Sequence, residues 1–167
     1  MAEVMFKGNK VRTSGRLPKV GSRAPDFRLT RADLSDVSLK DFAGKKKILS
    51  IVHSLDTGTC AASAKAFEAR AGALANTVVL TISNDLPFAQ KRFCEAENIH
   101  KVIPLSQMRD RKFGKDYGVE YLDGPLAGLL ARAVVVIDEQ DKVVYAQHPA
   151  DTSREPDYEG ALKAARG

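Results

Sequence analysis

Hydrophobic and polar positions change period repeatedly along the chain, and those changes mark out its elements. Lys47-Ile48-Leu49-Ser50-Ile51-Val52 is a short apolar run, and Thr77–Ile82 is β-branched. Runs of this kind, bounded by turn formers, predict buried strands. Between them Phe67, Ala71 and Leu74 share one face at helical spacing, so the alanine-rich stretch from Cys60 to about Ala75 predicts a helix. Asn84-Asp85-Leu86-Pro87 offers an N-cap with proline in the first turn, and opens a second helix that carries Cys94. Val102–Leu105 predicts a further strand, and Arg109–Tyr117 a short helix ended by Gly118. Ala133–Asp138 and Lys142–Gln147 predict two strands about the turn Glu139-Gln140-Asp141, and Ser153-Arg154-Glu155-Pro156 begins a last amphipathic helix.

Upstream, Met5–Val11 predicts a hairpin turned at Gly8-Asn9. Gly21–Pro25 breaks the chain before a strand around Phe27–Thr30, and Asp41–Gly44 is another turn. Strands alternate with helices in the middle, then a hairpin and a closing helix follow. That order describes an α/β sandwich, expected to be one domain over residues 1–167.

Composition narrows the class. With 44% hydrophobic and 28% charged residues, the chain is globular rather than disordered. No apolar run approaches the roughly 18 residues that cross a bilayer. The first ten residues lack the apolar segment of a signal peptide. A cytoplasmic protein without membrane contact is expected. The net charge is +5, but the positive residues are scattered. The one tight run, Lys45-Lys46-Lys47, reads as a solvated loop before a strand, so nucleic acid is not an expected partner.

Candidate chemistry centres on two cysteines. In a reducing compartment a disulfide is usually transient, catalytic or redox-sensing, whereas unreactive cysteines are commonly small buried hydrophobes. Cys60 follows a strand and a turn, which places it in the first turn of a helix. Unpaired backbone N–H groups and the positive dipole end there stabilise an anion. A thiol so placed loses its proton more readily, and the thiolate is the attacking form. Thr57 stands three residues earlier. Its hydroxyl either faces the sulfur or, like Asp56 and Thr59, caps the helix. Arg132 stands at the entrance to an apolar strand, where a buried guanidinium needs an anionic partner. A thiolate would serve, and an ordinary surface ion pair is the alternative. Cys94, beside Phe93, reads as core unless oxidation of Cys60 requires a second thiol.

The segment Ser54-Leu55-Asp56-Thr57-Gly58-Thr59-Cys60-Ala61-Ala62-Ser63 resembles the active-site loop of the peroxiredoxins, specifically the atypical two-cysteine type found in the bacterial thiol peroxidase group. The resemblance extends through Asp33–Val37, Asp41–Lys45, Ser83–Cys94, Asp123–Leu126, Ala131–Glu139 and Glu155–Glu159. It implies a thioredoxin-like fold with an N-terminal β-hairpin, reduction of hydroperoxides, a homodimer, and thioredoxin as reductant. It also implies that Cys60 is the peroxidatic cysteine and Thr57 the threonine of its motif. Arg132 is then the arginine facing the sulfur, and Cys94 the resolving cysteine that closes an intramolecular disulfide. No cofactor and no metal are implied.

One position departs from the motif, which has proline four residues before Thr57 where this chain has His53. Histidine is larger, hydrated and titratable near neutral pH, so it is expected either to weaken the shielding of the sulfur or, as a cation, to favour the thiolate. His100 and His148 read as surface residues. Leu86, Phe88 and Leu126 are candidates for an apolar entrance. A disulfide oxidoreductase would need a second cysteine where Ser63 stands. A copper or zinc carrier would have only His53 and the cysteines as ligands, at unsuited spacings. A thiol redox sensor or relay that passes oxidation to a partner remains compatible with the sequence.

Overall fold

The computed structural model describes residues 1–167. Its centre is a seven-stranded sheet in the order β4-β3-β7-β6-β5-β8-β9. The strands are β3 (Leu29–Arg31), β4 (Asp36–Val37), β5 (Lys46–Ile51), β6 (Thr77–Ser83), β7 (Ile103–Ser106), β8 (Ala133–Ile137) and β9 (Val143–Gln147). β5, β6 and β7 run parallel, and β8 joins β5 antiparallel. Parallel neighbours require crossovers, which the helices supply. These are α1 (Gly58–Ala71) between β5 and β6, and α2 (Pro87–Ala96) between β6 and β7. A short α3 (Lys112–Asp116) follows β7, and α4 (Tyr158–Arg166) closes the chain.

The central strands are apolar on both faces because both faces are covered. Leu49, Ile51, Leu80, Ile82, Val135 and Ile137 point into one cluster with Phe27, Phe42, Phe113 and Tyr117. Ile48, Val52, Val79, Val134 and Val136 point into the other, with Phe67 of α1 and Ala161, Leu162 and Ala165 of α4. Cys60 belongs to this second cluster, and Cys94 packs against its edge. Both cysteines therefore lie on one side of the sheet.

A separate two-stranded hairpin precedes the sheet, β1 (Ala2–Phe6) and β2 (Asn9–Thr13). Its turn is Lys7-Gly8, both at positive φ, rather than Gly8-Asn9 as the glycine alone suggests. The tip is pinned by Asp151, whose carboxylate accepts the Lys7 and Gly8 amides at 2.9 Å each. Phe6 and Lys7 of the hairpin share a cleft with the start of α1.

Three local expectations are corrected. Lys46 and Lys47 lie within β5, and Lys47 is fully buried, its Nζ 2.5 Å from Asp141 Oδ1, so the lysine run is not a solvated loop. The N-cap of α2 is Leu86, with Pro87 next. Asp85 instead turns its carboxylate onto the loop before α1. The last helix starts at Tyr158 with Asp157 as its cap, accepting from Gly160 N at 3.0 Å.

Candidate active site

β5 ends at Ile51, and the chain turns through His53–Thr57 before α1 begins at Gly58. This turn is held from a second strand. Asp85, just past β6, accepts Ser54 Oγ at 2.7 Å, Leu55 N at 2.8 Å and Ser83 Oγ at 2.8 Å. Cys60 is thus the third residue of a helix whose start is fixed. The first amides of a helix have no intrahelical acceptor, so they and the dipole present positive potential at the sulfur.

Arg132 immediately precedes β8, which pairs with β5, and this adjacency delivers its side chain to the start of α1. The guanidinium is almost wholly buried, and its Nη2 lies 3.0 Å from Cys60 Sγ. Its Nε donates to the Thr152 carbonyl at 3.2 Å, while Nη1 is buried with no partner. A buried guanidinium without a carboxylate is a large desolvation penalty unless its neighbour is anionic. Of the two readings of Arg132, the surface ion pair is therefore excluded. His148 lies half-buried behind it, donating from Nδ1 to the Arg132 carbonyl at 2.8 Å, so it is no surface residue. Burial pushes its imidazole pKa down. His100 is exposed, as expected.

Thr57 has the backbone of an N-cap, but its hydroxyl makes no cap bond and donates to the Ser54 carbonyl at 2.9 Å. Its oxygen keeps accepting capacity toward a cleft of about 300 Å³ lined by Phe6, Lys7, Thr57, Leu126 and Arg132, among others. No acidic side chain lines it. Leu126 thus forms part of an entrance, whereas Leu86 and Phe88 project into solvent from the start of α2. The Cys60 side chain has no exposed surface.

Cys94 occupies a different setting. It lies in the last turn of α2, half-buried, on a separate cavity of about 390 Å³ with Arg31, Lys91, His100 and Ile103. Burial, with Glu68 and Glu95 nearby, pushes its thiol up to about 11. Neither cysteine is in a disulfide. No group of three or more His, Cys, Asp or Glu side chains is placed to hold a metal ion.

Comparison with known proteins decides the family. The Redoxin family matches residues 19–162. A thiol peroxidase of Corynebacterium glutamicum is 50% identical over 164 residues, covering 98% of this chain and 99% of that protein. One of Mycobacterium tuberculosis is 51% identical over 164 residues, covering 98% of each. Among solved structures, a peroxiredoxin-like protein from Aquifex aeolicus superposes with TM-score 0.91 at 39% identity, over 98% of this chain and 96% of that one. The chain belongs to the thiol peroxidases of the Redoxin family. It is a peroxidase of the peroxiredoxin type, with the thioredoxin-like fold and hairpin of that group.

Within this thiol peroxidase, His53 differs from both expectations. It is buried rather than hydrated, with Nδ1 2.9 Å from the Leu130 carbonyl and Nε2 3.0 Å from the Thr152 carbonyl. The ring stacks on Tyr121 at 5.5 Å and meets the edge of Phe6 at 5.8 Å. Burial and the Arg132 guanidinium push its pKa down to about 4, so it is neutral at pH 7. The polar residues that sequence reasoning missed are Asp85, which reads as an ordinary cap, and Thr152, whose carbonyl holds Arg132. Only the Asp-x-Pro spacing near Asp85 offered any signal. Thr152 has none.

Proposed function

We propose that the enzyme reduces hydrogen peroxide and alkyl hydroperoxides through Cys60 and resolves the product with Cys94. The Cys60 thiolate attacks the terminal peroxide oxygen, the O–O bond breaks, and an alcohol or water leaves after taking a proton. The sulfur is oxidised to a sulfenic acid. The observation that carries this reading is the Arg132 guanidinium, with Nη2 on the sulfur and Nη1 unpaired. One N–H supports the thiolate, and the vacant donor suits the oxygen on which negative charge develops. Thr57 contributes an acceptor for the peroxide hydrogen at the cleft wall.

Cys94 then attacks the sulfenic sulfur, displacing water and forming the Cys60–Cys94 disulfide. An external dithiol, for which thioredoxin is the candidate, reduces it by exchange. Cys60 is buried in the first turn of α1 and Cys94 sits in the last turn of α2, on a different cavity. If the two sulfurs stand beyond bonding reach in the reduced protein, closing the disulfide requires the turn bearing Cys60 and the helix bearing Cys94 to unwind in part. Similar amide exchange in both segments for reduced and oxidised protein would contradict this step. The working form is proposed to be a single-domain, cytoplasmic homodimer with neither nucleic acid nor membrane as partner.

The assay is peroxide consumption with thioredoxin, thioredoxin reductase and NADPH. Cys60→Ser is expected to be inactive. Cys94→Ser is expected to complete one round of peroxide reduction and then stall. A Cys60→Ser protein that still turns over would exclude the reading.

A further inference from the structure

We propose that His53 is a positioning residue, which sets the guanidinium of Arg132 through the carbonyl of Thr152. This rests on the assignment of Arg132 as the group facing the reacting sulfur. The Thr152 carbonyl oxygen is the acceptor for Arg132 Nε at 3.2 Å and also lies 3.0 Å from His53 Nε2. A carbonyl has two lone pairs, so the two donors divide them between the imidazole and the guanidinium. With one lone pair taken, Arg132 Nε has a single direction in which to bond. A planar guanidinium fixed at Nε is fixed throughout, which aims Nη2 at the sulfur and sets where the unpaired Nη1 stands beside it.

The acceptor is itself rigid. Thr152 N and Thr152 Oγ1 both donate to the Met5 carbonyl, at 2.8 and 2.7 Å, and Tyr121 Oη lies 2.6 Å from Thr152 Oγ1. His53 stacks on that same tyrosine. The imidazole thus closes a ring of contacts that joins the hairpin, the loop before α4 and the entrance of β8. Its other nitrogen faces the Leu130 carbonyl, two residues before Arg132. A neutral ring carries one N–H, so one of the two bonds must dominate. The bond to Thr152 is the one that shares an acceptor with Arg132.

Side-chain amides separate the two bonds. The amide nitrogen of glutamine reaches where Nε2 stands, and that of asparagine where Nδ1 stands. The experiment compares wild type, His53→Gln, His53→Asn and His53→Pro in single-turnover oxidation of Cys60 by hydrogen peroxide. In parallel, the same proteins are alkylated with iodoacetamide. Alkylation requires the thiolate but makes no demand on an aligned donor for a leaving oxygen. Peroxide oxidation is expected to slow roughly tenfold in His53→Asn and His53→Pro, and to recover to within about threefold of wild type in His53→Gln. Alkylation rates should differ much less across the series.

Equal peroxide rates for the Asn and Gln proteins would overturn the proposal. So would a parallel fall in oxidation and alkylation, which marks a merely structural role. Circular dichroism identifies any variant that does not fold, and the Asn–Gln pair alone then decides. If wild-type Cys60 does not react with peroxide at all, the reading of the site fails instead, and the two failures are distinguishable.

Discussion

The two cysteines pack against the same apolar cluster, yet the charges around their sulfurs are opposite in sign. Cys60 lies in the first turn of α1, the positive end of a helix, with a guanidinium nitrogen 3.0 Å from its sulfur. Cys94 lies in the last turn of α2, the negative end, where burial, joined by Glu68 and Glu95, pushes its thiol up to about 11. Helix direction alone contributes a few tenths to about 1 kcal/mol at each position, with opposite signs. The neighbouring charges add to it in both cases. One fold thus surrounds one sulfur with positive groups and holds the other as a neutral thiol. Burial differs too, because Cys60 is fully enclosed whereas Cys94 lines an open cavity.

The comparison breaks most directly at Cys60 itself. Replacing Cys60 with serine is expected to reduce peroxide consumption at least about 10³-fold, whereas Cys94→Ser should leave the first oxidation near wild type. Stopped-flow measurements with one equivalent of peroxide read both rates. Next in size is Arg132→Met, which removes the donors but keeps comparable bulk. Loss of a preorganised donor of this kind lowers the rate by about 10²-fold or more. A smaller loss would mean that the helix terminus suffices without the guanidinium.

Cys94 sharpens the contrast through pH. Its raised pKa keeps the thiol protonated at neutrality, so in the proposed cycle only a small thiolate fraction is available for the attack. Disulfide closure should accelerate about tenfold per pH unit until the solution approaches the thiol's own value near 11. Rapid quench and mass spectrometry after stoichiometric peroxide follow that step. Glu68→Gln removes one of the carboxylates and should speed closure by about threefold at pH 8.

A separate effect concerns stability rather than rate. His53 is held neutral in the folded protein, pushed from 6.5 to about 4. The unfolded chain therefore binds the extra proton first as pH falls. Stability from this site is complete above about pH 6.5 and is lost as the solution is acidified toward pH 4. The loss is about 3 kcal/mol at most. Denaturation of wild type and His53→Pro across that range isolates it, because the variant lacks this part of the slope.

Much of this organisation is legible in the sequence, for reasons that are local. The valine run of β8 and the β-branched run of β6 can only be buried strands in a chain of this size. The turn before Cys60 places it in a first helical turn without knowledge of the fold. Arg132 at the mouth of an apolar strand left two readings, a thiolate partner or a surface ion pair, and only its burial decides between them. What the sequence concealed depends on contacts between distant segments. The direction of the Thr57 hydroxyl is set by Ser54, and the burial of Lys47 by Asp141 across a strand-to-strand turn. Asp85 resembles a helix cap because its bonds run to a loop thirty positions away. His53 appeared hydrated because nothing nearby reveals the carbonyls of Leu130 and Thr152. The hairpin turn shifted by one residue because Lys7 accepts positive φ, which composition does not show.

The most direct measurement follows a single equivalent of hydrogen peroxide added to reduced Cys94→Ser protein at pH 7, with dimedone present to capture sulfenic acid. The expected result is a dimedone adduct on Cys60, formed far faster than on a cysteine-containing peptide and slowed about 10²-fold by the additional change Arg132→Met. Capture at the peptide's rate, or capture that ignores the loss of Arg132, would contradict the coupling of that guanidinium to the reacting sulfur.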